Sequence, residues 1–159
     1  MKTKYVPDLT RQMAVCEANY ARLIKLMPDI EYCQQRDFIV DMAQQQSVVS
    51  ICVLERFKFT STLSINQTLA SASMDTQIQQ LISPKLQVRL YHDANMAEVI
   101  NLANYRQLKG KYLYPNKEMH QVDEKIQLNE HLAQWLSHCL THGYHTQEIF
   151  IQNYINHDT

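Results

Sequence analysis

"RDFIVDMAQQQSVVSICVLERFKFTSTLSINQTL", residues 36–69, changes the hydropathy period of the chain to two. Phe38, Val40 and Met42 share one face of a first strand, and Val49, Ile51 and Val53 share one face of a second. Phe59, Leu63 and Ile65 share one face of a third, with Thr60, Thr62 and Ser64 opposite. Successive side chains of a strand point to opposite faces, so this pattern predicts a sheet with one wet side. The connections are short, which favours antiparallel pairing because parallel strands need a long crossover. Gln44 to Gln46 read as a turn or strand end.

Towards the amino terminus, Leu9, Met13, Cys16, Tyr20, Leu23 and Met27 recur at alternating spacings of four and three, which places them on one stripe of a helix over 8–27. Asp8 is placed to cap its start and Pro28 to end it. Towards the carboxyl terminus, residues 71–83 read as a polar loop with one or two helical turns before Pro84. The stretch 85–102, "KLQVRLYHDANMAEVINL", then reads as a hairpin. Leu86, Val88 and Leu90 face one way, the turn falls near Asp93 to Asn95, and Met96 to Leu102 returns.

Tyr112 to Tyr114 read as a short strand. A long helix starts between Asn116 and Asp123 and runs to about His142, with Gly143 as a left-handed stop. The tail after Gly143 reads as an added edge strand or a frayed end. These elements predict one α+β domain over 1–159: a mainly antiparallel sheet, formed by a three-strand meander plus a hairpin, packed with an N-terminal and a long C-terminal helix.

Composition narrows the function classes. Fifteen basic and sixteen acidic residues leave a net charge of −1, and no run of like charge stands out, so nucleic acid is not expected as a partner. The longest apolar-rich run, "VVSICVL" at 48–54, is far short of the ~20 residues that cross a bilayer, and "MKTKYVPDLT" lacks the apolar stretch of a secretory signal. Membrane association is not expected. Cys16, Cys33, Cys52 and Cys139 have neither CxxC nor metal-knuckle spacing and read as reduced thiols of a cytoplasmic protein. With only Gly110 and Gly143, the chain has no phosphate-cradling glycine loop and no GxSxG elbow. No cofactor is expected.

The candidate site lies on the last helix. At about 100° per residue, Val122, Ile126, Leu128, Leu132, Ala133, Trp135, Leu136, Cys139 and Leu140 occupy about half its circumference. Gln121, Lys125 and Asn129 fall in the same arc, four residues apart, and form a polar row in its first half. Buried polar groups need partners, since an unpaired one costs roughly 1–3 kcal/mol. Either a polar pocket faces this row, or the row overhangs the sheet edge with the Lys125 amine reaching water.

His120 and Glu124 lie one turn apart on the opposite side, where His131 and His138 also fall. Seven residues of helix rise roughly 10.5 Å, too far for both pairs to share one ion. They read as solvated surface residues, and no metal is expected.

On the hairpin, strand alternation places His92 with Leu86, Val88 and Leu90, while Arg89, Tyr91 and Asp93 point the other way. Glu98 follows the parity of Met96 and Ile100, which would set its carboxylate beside His92 on the apolar face. That pair is the best acid/base candidate. The expected ligand-facing residues are Arg89, Tyr91 and Asp93 of the hairpin, Tyr114 and Asn116 beyond it, and Gln121, Lys125 and Asn129 of the helix.

The blocks "VRLYHDA", "MAEV", "YPNKEMHQVDEKIQLN" and "LAQWLSHCLTHG", between residues 88 and 143, resemble the YqiB-like family of small uncharacterised bacterial proteins. The first half is similar through the helix "YVPDLTRQMAVCEANYARL" and the meander after it. The glutamine-rich stretch at 44–46 and the longer tail after Gly143 depart from the family pattern. The resemblance implies a cytosolic bacterial protein and carries no biochemical activity with it.

Two functional readings follow, beside a purely structural one in which Lys125 and Asn129 knit the last helix to the hairpin through Asp93 or backbone carbonyls. The first is a non-catalytic module that binds a small ligand or a protein partner, with a polar pocket between the 86–102 hairpin and the start of the last helix. The second is a hydrolase or lyase in which His92 or Glu98 moves a proton and Lys125 holds an anionic substrate group. It requires those three side chains to converge. The oligomeric state is open on both readings.

Overall fold

The computed structural model describes residues 6, 8–42, 45–69, 85–102 and 120–145, without the side chains of 42, 45, 69, 101, 102, 120–124, 144 and 145. In chain order the elements are α1 (Leu9–Leu26), β1 (Gln35–Met42), β2 (Gln45–Arg56), β3 (Thr60–Leu69), β4 (Lys85–Tyr91), β5 (Met96–Leu102), α2 (His120–His142) and β6 (Gly143–His145). The sheet order is β5-β4-β3-β2-β1-β6, with every neighbouring pair antiparallel. The expected α+β architecture is present. Meander and hairpin form one continuous sheet because β3 pairs with β4, and β6 returns from α2 to cover the free side of β1.

Period two accounts for the core. Phe38, Val40, Val49, Ile51, Val53, Leu63, Ile65, Leu86, Val88, Leu90, Ala97 and Val99 are all buried and belong to one cluster with Leu23 and Met27 of α1 and Leu132, Leu136 and Cys139 of α2. Both helices therefore cover the same face of the sheet. Full burial of leucines such as Leu132 and Leu136 contributes about 1.5–3 kcal/mol each. Two polar ties fix how α2 lies on it. The Trp135 indole Nε1 donates to Gln67 Oε1 at 2.7 Å, and Gln67 Nε2 donates to Ser47 Oγ at 2.9 Å.

Asp8 caps α1 as expected, its Oδ1 accepting the Arg11 N–H at 3.1 Å. The apolar stripe is displaced, however. Leu9 and Met13 are 65% and 53% exposed, so the first turns of α1 project beyond the core, and the buried stripe runs through Cys16, Asn19, Leu23 and Met27.

Of the two expectations for the glutamine stretch the strand end holds, since Gln45 and Gln46 open β2, paired with Met42 and Asp41. Other expectations are corrected. Phe59 precedes β3 and is 54% exposed, leaving Ser61, Leu63 and Ile65 on the inner face. The β4–β5 turn falls where expected, with Asn95 at φ 52°, a left-handed value that asparagine tolerates. Gly143 does not adopt a left-handed stop. Its lack of a side chain matters for space, since a Cβ there would lie 2.3 Å from the Cys139 carbonyl oxygen, and the chain turns directly from α2 into β6. Residues 71–83, expected as a polar loop, Tyr112 to Tyr114, expected as a short strand, and the tail beyond His145 lie outside the described residues.

Candidate functional site

The hairpin and α2 meet at the sheet edge. Among the described residues β5 is the outermost strand on that side, so its outward N–H groups have no strand partner there. Asn129, 1% exposed, supplies one: its Oδ1 accepts the Val99 N–H at 2.9 Å, while its Nδ2 donates to the Lys125 carbonyl at 2.9 Å. Asn19 of α1, fully buried, donates from Nδ2 to the Asn129 carbonyl at 3.0 Å. One asparagine thus joins β5, α2 and α1.

Lys125 sits one turn earlier on α2 and is half-exposed. Its Nζ lies 3.1 Å from Glu98 Oε2, and the Tyr91 hydroxyl donates to Glu98 Oε1 at 2.8 Å. Burial pushes the Tyr91 hydroxyl above its ordinary pKa, helped by the hydrogen bond and charge of Glu98 and opposed by Arg89.

This places the residues singled out from sequence. Arg89, Tyr91 and Glu98 share a face, because Arg89 pairs with Glu98 and Tyr91 with Met96. That face is opposite the core, since Ala97 and Val99 are the buried residues of β5. Parity had suggested that Glu98 lies beside His92, and the register corrects this. His92 follows the buried parity of Leu86, Val88 and Leu90, and its partners are on the helix-covered side. The acid/base pair and Lys125 therefore do not converge: Glu98 and Lys125 bond to each other, and His92 bonds elsewhere. Asp93 is exposed in the turn, where its Oδ1 accepts the Ala94 N–H at 3.0 Å. Tyr114, Asn116 and the Gln121 side chain lie outside the described residues.

His92 organises a second polar cluster at the turn end of the hairpin, on the opposite face from its neighbour Tyr91. Its backbone N–H donates to the Phe59 carbonyl at 2.8 Å, which carries the β3–β4 pairing one residue past Tyr91. Its ring Nε2 lies 2.8 Å from Ser61 Oγ, and its Nδ1 lies 3.1 Å from the Tyr20 hydroxyl. Tyr20 meets the imidazole edge-on at 5.9 Å between ring centroids. The phenol is pushed above its ordinary pKa by burial and then by the Glu31 charge.

These three residues form the floor of a recess of about 320 Å³, also lined by Ile30, Glu31, Arg56, Phe57 and Lys58. Arg56 Nη2 donates to the carbonyls of Ile30 and Cys33 at 2.9 and 3.0 Å, holding the α1–β1 connection as one wall. Arg36, bonded to Asp29 at 2.6 Å, holds the same connection from the β1 side.

Arg56 reaches this recess because of a register shift. Val53 pairs with Leu63, but Glu55 pairs with Thr62 and Arg56 with Ser61, so one extra residue sits in β2 between Val53 and Glu55. A bulge of one residue exchanges the faces beyond it. Glu55 is turned to the outer face, where it accepts from Thr62 Oγ1 at 3.2 Å, and Arg56 is turned to the side of Ser61 and His92. Alternation read from sequence would put Arg56 with Cys52 and Leu54, so it missed this residue. Ser61 and Lys58 were missed as well, and Tyr20 was read only as part of the apolar stripe.

Chemically, the floor is a chain of three exchangeable donors and acceptors. A serine 2.8 Å from an imidazole has the spacing of base-activated nucleophiles. Ser61, however, lies within a strand paired on both sides, with Arg56 and with Leu90, which commits the adjacent backbone N–H groups to ladders and leaves no pair to hold an oxyanion.

The histidines of α2 divide. His131 is exposed, whereas His138 is half-buried, its ring tilted against His142 at 4.6 Å between centroids, and its buried Nε2 has no hydrogen-bond partner among the described residues. Reading His138 as a solvated surface residue is thus corrected. All four cysteines are free thiols. Among the described residues, no helix is long and apolar enough to cross a membrane.

Comparison with known proteins places the chain among relatives. It is 36% identical over 141 residues to the uncharacterised protein YqiB of Escherichia coli K12, an alignment covering 88% of this chain and 94% of YqiB. The YqiB proteins of Escherichia coli O6:H1 and O157:H7 match to the same extent. No solved structure matches. The family model described as "Protein of unknown function (DUF1249)" matches residues 22–145, which include Ser61, His92, Glu98, Lys125 and Asn129, and the chain therefore belongs to that YqiB-like family.

Proposed function

We propose that the protein is a non-catalytic binding module that seats a small ligand in the recess floored by Tyr20, Ser61 and His92. The observation that carries this reading is the recess itself. Its volume of about 320 Å³ lies at the small end of the range usual for ligand pockets, roughly 300–1,000 Å³, and its lining is mainly polar and charged, with Ile30 and Phe57 as the apolar members. The seam between the hairpin and α2 suits a ligand less well. Asn129, Glu98 and Lys125 already take each other or the β5 backbone as partners there.

Amide NMR of the intact chain during a screen of small soluble compounds tests this. Shift changes grouped on residues 57–61, 91–93 and 30–33 are expected. Changes grouped instead on Glu98, Val99, Lys125 and Asn129 would move the site to the seam. A broad screen that perturbs neither region would end the proposal.

A further inference from the structure

We infer that the recess takes a small organic anion and that seating this anion draws one proton from solvent onto His92. The inference rests on the binding reading above and adds the ligand's charge and its coupling to pH.

The charge balance favours an anion. From the β2–β3 turn the recess receives Arg56 and Lys58, and from the α1–β1 connection it receives Glu31. From α1 it receives Tyr20, whose phenol burial keeps protonated, and from the β4–β5 turn His92, followed by the exposed Asp93. Among the described residues neither Arg56 nor Lys58 is bonded to a carboxylate. Arg56 donates to backbone carbonyls, and Lys58 lies 4.9 Å from the centre of the Phe59 ring. Carbonyl dipoles orient the guanidinium without cancelling its charge. Ile30 and the exposed Phe57 offer apolar contact to the body of an organic acid.

The proton coupling follows from counting hydrogens. A neutral imidazole has one donor nitrogen and one acceptor nitrogen. With Ser61 on Nε2 and Tyr20 on Nδ1, one of the two hydroxyls must then spend its own proton on the ring. An imidazolium donates from both nitrogens, so both hydroxyl oxygens accept and both hydroxyl protons are released towards other acceptors. Both residues line the recess. Protonation therefore gives a seated anion one more donor and one nearby positive charge. Because the linkage is reciprocal, the anion in turn favours the protonated ring.

Benzenesulfonate is a suitable probe because its acid group stays ionised across the interval of about pH 5–8 in which histidine changes charge. Calorimetry on the intact chain in two buffers of different ionisation enthalpy, with amide NMR to locate the site, reads affinity and proton uptake together. Binding at the recess is expected to be about tenfold tighter near pH 5.5 than near pH 8, with uptake peaking at about half a proton per probe between those pH values. His92→Gln, which donates and accepts but does not titrate, should bind with no pH dependence. Glu31→Gln should keep that dependence, separating His92 from the carboxylate. Lys58→Gln should weaken binding at both pH values.

Recess binding without proton uptake, or with pH dependence surviving in His92→Gln, would overturn the coupling while leaving a binding module. Tighter binding of benzylammonium than of benzenesulfonate would overturn the choice of anion. Failure of every probe to perturb the recess would remove this inference and the binding reading together.

Discussion

The side-chain oxygen of Asn129 accepts the backbone N–H of Val99 at 2.9 Å, so a helix residue bonds the outer side of β5, the edge strand among the described residues. The same side chain ties to Lys125, and its carbonyl receives Asn19, so its loss strands several buried groups at once. Asn129→Leu is expected to lower stability by about 1–3 kcal/mol, the cost of an unsatisfied buried polar group. Urea denaturation measures this, and hydrogen exchange at the Val99 amide should accelerate. Unchanged protection at Val99 would show that the contact does not hold the edge.

Lys125 and Glu98 form an ion pair at 3.1 Å, but the lysine is half-exposed, and screening reduces what such a pair contributes. Lys125→Met should change stability by no more than about 1 kcal/mol in either direction. Benzenesulfonate binding at His92 should be unaltered. A large loss of that binding would mean that the two clusters communicate.

The phenols of Tyr20 and Tyr91 have pKa values raised by burial above the ordinary value of 10.0. The neutral form is thus favoured in the fold. Their contribution is fully present below about pH 10 and is lost as pH rises through their folded-state values, because the unfolded chain ionises first. Denaturation series above pH 9 should show a decline that is shallower in the Tyr20→Phe, Tyr91→Phe double variant. Equal slopes in both proteins would assign the alkaline loss to other groups.

Burial pushes the Cys139 thiol up to about 12, against a smaller opposing effect from a backbone hydrogen bond. Only the thiolate reacts. Native alkylation near pH 8, followed by peptide mass analysis, should leave Cys139 unmodified while the half-buried Cys33 is labelled, and unfolding should remove the difference. Labelling of Cys139 at the rate of Cys33 would contradict its packing.

Adding a methyl group at Gly143 would bring a Cβ within 2.3 Å of the Cys139 carbonyl oxygen, a backbone atom that cannot swing aside. Gly143→Ala should cost about 1–3 kcal/mol, as for other overpacked sites. The pairing of β6 with Phe38, Ile39 and Val40 should loosen, seen as faster amide exchange along β1. A stable variant with β1 exchange unchanged would show that the α2–β6 corner has room to relax.

Local pattern carried much of the architecture. The inner residues of β1, β2 and β4, the Asp8 cap and the hairpin turn at Asp93 to Asn95 were all readable, because period and capping depend on neighbours within a few residues. The polar row of α2 was also visible. Its meaning was not, since the partner of Asn129 is a backbone N–H thirty positions earlier in the chain.

The sequence by itself determined which segments are helices and which are strands, and which side chains most of them bury, because those choices repeat at 3.6 and 2 residues. Only the tertiary structure decided which faces meet. The extra residue between Val53 and Glu55 exchanges the faces at the end of β2 and brings Arg56 to His92, while the β4–β5 register sends Glu98 away from it. Register depends on pairing between distant segments, and a slip of one residue reverses every side chain beyond it.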